Sequence, residues 1–275
     1  MKKTMNRNNN LHNSVLSEQL PHDAIVRQRG ENTLNQHSIY KSVFLHLFPG
    51  IVFTVILFLT CIIVTDVTIP RALIFYALAL LILVPMFIII IKINEREKGT
   101  GKYFYDYIRY LEKISIWKVL GIVFLAAVWA VVIFVLGKPL NSFFHTHLFS
   151  WMGNKFDISD YLTSPQNYSK SILIITWVVG LFSTSLIVPI FEEIYFRGYL
   201  LPRIDRYKIF APIIGTILFC LYHFFTPWMF LVRVIAIMPM IFLVWKYKNI
   251  HIGIVFHVLL NLLGDTITAI PIIFK

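Results

Sequence analysis

From Lys41 onward the chain is a succession of long apolar runs parted by short polar breaks. The runs lie at about 43–65, 72–93, 116–136, 171–200, 209–225, 227–245 and 250–273. Each is near the roughly 20 residues an α-helix needs to cross a bilayer core. They are continuous and lack period-two alternation, which excludes a membrane β-barrel and predicts an all-α, polytopic bundle of about seven transmembrane helices. The weakest divisions fall at Pro189 and at Thr226-Pro227, where a missing backbone donor can kink a helix instead of ending it. Residues 1–38 have no apolar period and carry Asn at 6, 8, 9 and 10, so they read as a disordered cytoplasmic tail. Lys2, Lys3 and Arg7 are not followed by the apolar stretch of a secretory signal.

Composition supports this pattern. With 57% hydrophobic and 14% charged residues in 275, the chain has far fewer charges than the quarter typical of soluble domains. The formal charge of +11 would suggest nucleic acid in a soluble protein. Here it reflects the preference of Lys and Arg for cytoplasmic loops, and no nucleic-acid partner is expected. With the N-terminus inside, basic residues crowd the tail, residues 92–118, the group Arg197, Arg203, Arg206 and Lys208, and the pair Lys246 and Lys248. Only Arg71, Lys138, Lys155, Lys170 and Lys275 fall outside, and Arg233 lies within the membrane. The organisation expected is a tail over 1–38, transmembrane helices over 39–136 with an amphipathic interfacial helix near 94–115, an outer loop over 137–170, and a helical core over 171–275. Cys61 and Cys220 sit inside apolar runs and read as small buried hydrophobes.

The informative residues are those that are costly where they sit. Glu192, Glu193, Arg197, His223, Arg233, His257, Asn261 and Asp265 fall in or at the ends of apolar helices, and an intramembrane ionisable group suggests a functional site. The plainer alternative is a set of buried pairs that hold helices together. Glu193 and Arg197, four apart, share a helix face and can pair. Glu192 is rotated by roughly 100° from its neighbour and stays available for chemistry. Phe219 and His223 share a face, and His257, Asn261 and Asp265 form an i, i+4, i+8 stripe. Counting at 1.5 Å per residue puts Glu192 and His223 at similar distances from a turn near Tyr207-Lys208, so they can face each other in a cavity open to the cytoplasm. Arg233 is a candidate counter-charge for Asp265 or Glu193.

The string Glu192-Glu193-Ile194-Tyr195-Phe196-Arg197 resembles the EExxxR motif of the CPBP family, the CAAX-processing and bacteriocin-processing intramembrane endopeptidases also called Abi proteins. Phe219-Cys220-Leu221-Tyr222-His223 is similar to that family's FxxxH motif, and His257-Val258-Leu259-Leu260-Asn261 to its HxxxN motif. The resemblance covers about residues 171–265. It implies a glutamate-dependent, multi-pass cell-membrane peptidase acting on a membrane-associated protein or peptide. Glu192 and His223 would activate water, His257 and Asn261 would stabilise the oxyanion, and Glu193, Arg197 and Phe219 would support them. A competing zinc reading takes Glu192, His223 and His257 as ligands of an open catalytic site. No HExxH pair is present and Asn is an uncommon zinc ligand, so metal-independent water activation is favoured and no cofactor is expected. A catalytically silent immunity or scaffold protein of the same fold is the alternative from another class. An ion-coupled transporter is disfavoured by the lack of internal repeats.

Overall fold

The computed structural model describes residues 34–96, 104–152 and 156–273. The chain divides into a unit Met1–Gln36, described only from residue 34, and a unit His37–Lys275 that holds the helices. Most of the expected tail over 1–38 lies outside the described residues.

Six helices are long and apolar enough to cross a membrane: α1 (Ile39–Ile63), α2 (Arg71–Glu95), α3 (Ile116–Leu136), α5 (Lys170–Tyr207), α7 (Pro227–Tyr247) and α8 (Ile250–Ile273). The chain is thus a multi-pass membrane protein. The remaining predicted span is α6 (Phe210–Tyr222), of 13 residues, which at 1.5 Å per residue covers only ~20 Å. That length falls short of the ~30 Å hydrocarbon core, and non-helical backbone at such a depth is tolerated only if it is buried or lines a cavity. Between α3 and α5, the polar segment forms a short helix α4 (Lys138–His147) and single helical turns.

Side chains supply the missing helix-start acceptors. Ser38 and Ser169 accept from the backbones of Lys41 and Ile172 at α1 and α5. At α2, which begins after Pro70, Asp160 from the polar segment accepts from the Arg71 and Ala72 N–H groups at 2.7 and 3.4 Å.

Three proline residues shape the interior. Segments Ala79–Leu83, Ser183–Ile187 and Glu193–Leu200 are π-helical, and Pro85, Pro189 and Pro202 each follow two residues after one of them. A proline lacks an N–H and its ring collides with the carbonyl four residues back. Widening the preceding turn relieves that collision and leaves carbonyls without helical donors. The Gly198 carbonyl, four before Pro202, accepts instead from the Arg109 N–H at 2.8 Å.

That bond anchors a segment expected to be an amphipathic helix. Over its described part, residues 104–115 form a 3-10 turn, Phe104–Tyr107, followed by backbone without helix. The backbone spends its donors and acceptors on its neighbours: Ile250 N–H donates to the Tyr110 carbonyl at 2.8 Å and Glu112 N–H to the Lys248 carbonyl at 3.0 Å. The expectation of a helix across 94–115 is corrected accordingly, with residues 97–103 outside the description.

The close contact of α1 with α6 depends on a glycine. A Cβ on Gly50 would lie 2.0 Å from the Tyr222 carbonyl oxygen, so a side chain there would drive α1 off the end of α6. The bundle core runs from Phe53 and Phe75 through Phe225 to Tyr222 and Phe196, as a series of edge and tilted ring contacts.

Candidate active site

Glu192 closes the α-helical part of α5 before its π-helical turn, and its side chain is 6% exposed. Tyr222 donates from its phenol to Glu192 Oε1 at 3.0 Å. The second carboxylate oxygen faces Nε2 of His257 at 3.7 Å, a gap longer than a direct hydrogen bond and suited to a bridging water.

Glu193 points elsewhere and is fully buried. Its Oε1 lies 3.1 Å from Arg197 Nη1 and 3.0 Å from Nδ1 of His257. A carboxylate can only accept, so His257 donates through Nδ1 and turns Nε2 toward Glu192. The expected Glu193–Arg197 pair is present, and the two glutamates divide their work as their rotation on the helix predicts. His257 joins them, which spacing along either helix could not reveal. Phe219 covers the other side of Arg197, its ring 3.8 Å from the guanidinium carbon, and meets His223 and His257 edge-on at 4.8 and 6.0 Å.

α6 ends at Tyr222, and His223 leaves helical geometry with ψ 54°. Its Nδ1 donates to the Phe219 carbonyl at 2.9 Å, which leaves Nε2 as the lone-pair nitrogen of the neutral ring. The sequence places His223 opposite Glu192. In the fold its neighbour Tyr222 makes the direct contact, and His223 shares the same cavity wall. Tyr222 is a site residue that motif spacing missed, although a tyrosine in an apolar run is itself a signal, because a buried phenol needs a polar partner.

Asn261 is positioned by Pro189. Within the π-helical turn, Val188 N–H donates to Ser183, and Pro189 has no N–H, so the Thr184 carbonyl is left open. Asn261 Nδ2 fills it at 2.8 Å. The stripe His257, Asn261 and Asp265 does line one cavity, with Asp265 accepting from the Ser185 hydroxyl. The predicted partnership of Arg233 with Asp265 or Glu193 is not formed: Arg233 Nη2 donates to Thr226 Oγ1 at 2.9 Å, because both groups sit around the turn between α6 and α7.

The cavity has a volume of about 760 Å³. Glu192, His223, His257 and Asn261 share its wall with apolar side chains of α2, α3, α7 and α8, and it reaches Lys138, Asn141 and Ile158 of the polar segment. An opening toward the basic-rich face was expected; the polar groups paired at that face are not among the residues that line the cavity. There Arg203 pairs with Glu95 at 3.2 Å, Tyr199 donates to Glu95 at 2.9 Å, and Lys248 pairs with Asp205 at 2.9 Å. Depth counting located the residues along their helices but could not show which other groups share the cavity wall.

Among the described residues, no three His, Cys, Asp or Glu side chains gather closely enough to hold a metal ion.

Gly253 makes room for Glu193. A Cβ there would fall 2.3 Å from Glu193 Oε2 and 3.1 Å from its Cδ. Gly253→Ala is expected to displace the carboxylate from Arg197 and His257 and to lower activity on the order of 100-fold, since a shift near 1 Å can cost that much. Turnover in vesicles, compared with the melting temperature of the same preparation, checks this; unchanged turnover refutes it.

Residues 174–263 match the family described as type II CAAX prenyl endopeptidase Rce1-like. The match covers less than half of the chain and contains all three motifs, and it agrees with the CPBP, or CAAX protease, resemblance. No curated protein and no solved structure matches the chain.

Proposed function

We propose that this chain is an intramembrane endopeptidase of the CAAX-processing type, which hydrolyses a peptide bond in a protein or peptide associated with the cell membrane. The observation that carries the reading is the division of labour between adjacent glutamates. Glu193 is committed to Arg197 and His257, while Glu192 stands in a cavity at membrane depth with one oxygen free of any cationic lysine or arginine partner. That arrangement suits a general base better than a structural ion pair.

In the proposed reaction, Glu192 accepts a proton from water as the water oxygen bonds to the scissile carbonyl carbon. The lone pair on His223 Nε2 helps orient that water. The developing oxyanion is met by His257, held through Nδ1 by Glu193 so that Nε2 faces the cavity, and by the amide hydrogen of Asn261 that Thr184 does not take. Glu192 then returns the proton to the leaving nitrogen as the C–N bond breaks, releasing a carboxylate and an amine. The apolar remainder of the cavity limits competing water and strengthens each of these interactions. The basic-residue asymmetry favours a cytoplasmic N-terminus, so the cavity would be reached from the opposite face or laterally from lipid.

Comparison of membrane peptide termini from cells carrying wild type or Glu192→Ala tests the reading. New termini present with wild type and lost with the variant are expected. Identical termini would reject proteolysis. Cleavage by the purified protein is expected to survive exhaustive chelation, and its loss with recovery on adding zinc would overturn the metal-independent mechanism.

A further inference from the structure

The polar stripe of α8 carries one acid that the proposed chemistry does not use. His257, Asn261 and Asp265 follow one another every four residues on a continuous α-helix, and all three line the cavity. At 1.5 Å per residue, Asp265 stands about 12 Å beyond His257 along the axis. α5 gives nearly the same interval from the facing side. Ser185, whose hydroxyl donates to Asp265 Oδ2, precedes Glu192 by seven residues, about 10 Å of helix. The two helices are thus bridged at two levels: His257 meets Glu192 and Glu193 at one, and Asp265 meets Ser185 at the other.

Asp265 has no cation in the fold. Ser185 is fully buried and fixes one carboxylate oxygen, while Oδ1 has no hydrogen-bond partner among the described residues. No described lysine, arginine or histidine stands within ion-pair distance of it. An acid in a membrane-spanning helix without a counter-charge is costly, and it suits a ligand that brings the missing charge. Room for one is present: a Cβ on the adjacent Gly264, also on the cavity wall, would meet no atom within 4 Å. Thr268, about one turn further on, donates to the Gly264 carbonyl at 2.7 Å and keeps its oxygen lone pairs for a donor. This end of the cavity therefore offers acceptors in want of an N–H.

We propose that Asp265 is a specificity-determining residue that binds the side-chain cation of a lysine or arginine in the peptide to be cleaved. An extended chain advances about 3.3 Å per residue, so the interval between Glu192 and the Ser185 level places that basic residue within about three positions of the scissile bond. A charge entering an apolar cavity is tolerated only where an anion waits for it. Peptides with a basic residue at that spacing are thus selected over uniformly apolar ones. Glu192 and Asp265 are the acidic residues lining the cavity among those described, and Arg233 and Lys138 line it on α7 and α4. The assignment rests on the endopeptidase reading for the position of the scissile bond, but the cation site itself does not.

The test uses the full chain carrying Glu192→Gln, in nanodiscs of neutral phosphatidylcholine, so that the probe is not consumed and Asp265 is the carboxylate left on the described cavity wall. The probes are two short fluorescent peptides of leucine and alanine with blocked ends, identical except for a central lysine or its neutral Nε-acetyl derivative. The lysine peptide is expected to bind about tenfold tighter, as gain of a charge-assisted contact implies. Adding Asp265→Asn, which keeps an acceptor for Ser185, should bring the two affinities to within about twofold by weakening the lysine peptide alone. Asp265→Glu should keep part of the preference. Equal binding of the two probes to the Glu192→Gln protein, absence of lysine-peptide binding, or a preference that survives Asp265→Asn would each overturn the proposal. A loss that affects both probes equally would make Asp265 a structural tie between α5 and α8 and overturn it too. Membrane peptide termini from cells carrying wild type, Glu192→Ala or Asp265→Asn are mapped separately. Termini that depend on Glu192 should have lysine or arginine within three residues of the cut and fall about tenfold with Asp265→Asn; termini without such a neighbour would overturn the substrate assignment. A lysine preference with no Glu192-dependent termini removes the peptidase reading and leaves the cation site, whereas such termini without that preference do the reverse.

Discussion

Glu192→Gln is expected to lower turnover on the order of 10³-fold while leaving the protein folded, because it removes the general base and little else. Glutamine keeps the oxygen that accepts from Tyr222 at 3.0 Å and nearly the same volume. Glu192 has no arginine or lysine in ion-pair contact among the described residues, and the basic group facing it is His257 at 3.7 Å, so neutralising it strands no permanent cation. Single-turnover rates on matched vesicles, beside the melting temperatures, measure both halves of this expectation. A variant within tenfold of wild type would move the base to another residue. Tyr222→Phe is the companion change: it keeps the ring contacts and removes only the donor to Glu192.

Breaking the neighbouring network should have the opposite signature. Glu193→Gln leaves the Arg197 guanidinium without its carboxylate in a site where both side chains are at most 2% exposed. Loss of one partner from such a buried pair costs about 3–5 kcal/mol. Arg197→Met should also destabilise, although Glu193 keeps its contact with His257 at 3.0 Å. The double variant carries neither charge and should be more stable than Glu193→Gln alone, because packed apolar groups can replace a buried pair. Activity should not return with stability, since His257 still lacks the carboxylate that orients it. Denaturation midpoints and turnover for the four proteins of this cycle separate the two effects. Strictly additive losses of stability would mean that Glu193 and Arg197 act independently.

Much of the site was legible before the fold. Composition identified lipid as the solvent, so Glu192, Glu193 and Arg197 stood out as charges that lipid would not tolerate without a reason. Helical spacing paired Glu193 with Arg197 and turned Glu192 away, a local relation set by side-chain directions on one helix. It survived even though residues Glu193–Leu200 are π-helical. The stripe of His257, Asn261 and Asp265 was readable for the same reason.

Relations between helices were not. Tyr222, not His223, donates to Glu192, because α6 ends at Tyr222 and the chain turns there. His257 reaches Glu193 across 64 residues, which depends on how α8 is rotated. Asn261 finds the Thr184 carbonyl because Pro189 left it without a donor, and Arg109 finds Gly198 because of Pro202. The prolines were visible as breakers, but only the packed bundle decided which distant group would answer each open carbonyl. By itself the sequence determined the membrane setting, the helices and the residues too polar for their surroundings, since these follow from solvation and from geometry within one helix. Which glutamate His257 holds and which residue donates to Glu192 were decided by tertiary structure. They depend on helix rotation and on contacts between distant segments, and neither is encoded in any single run of residues.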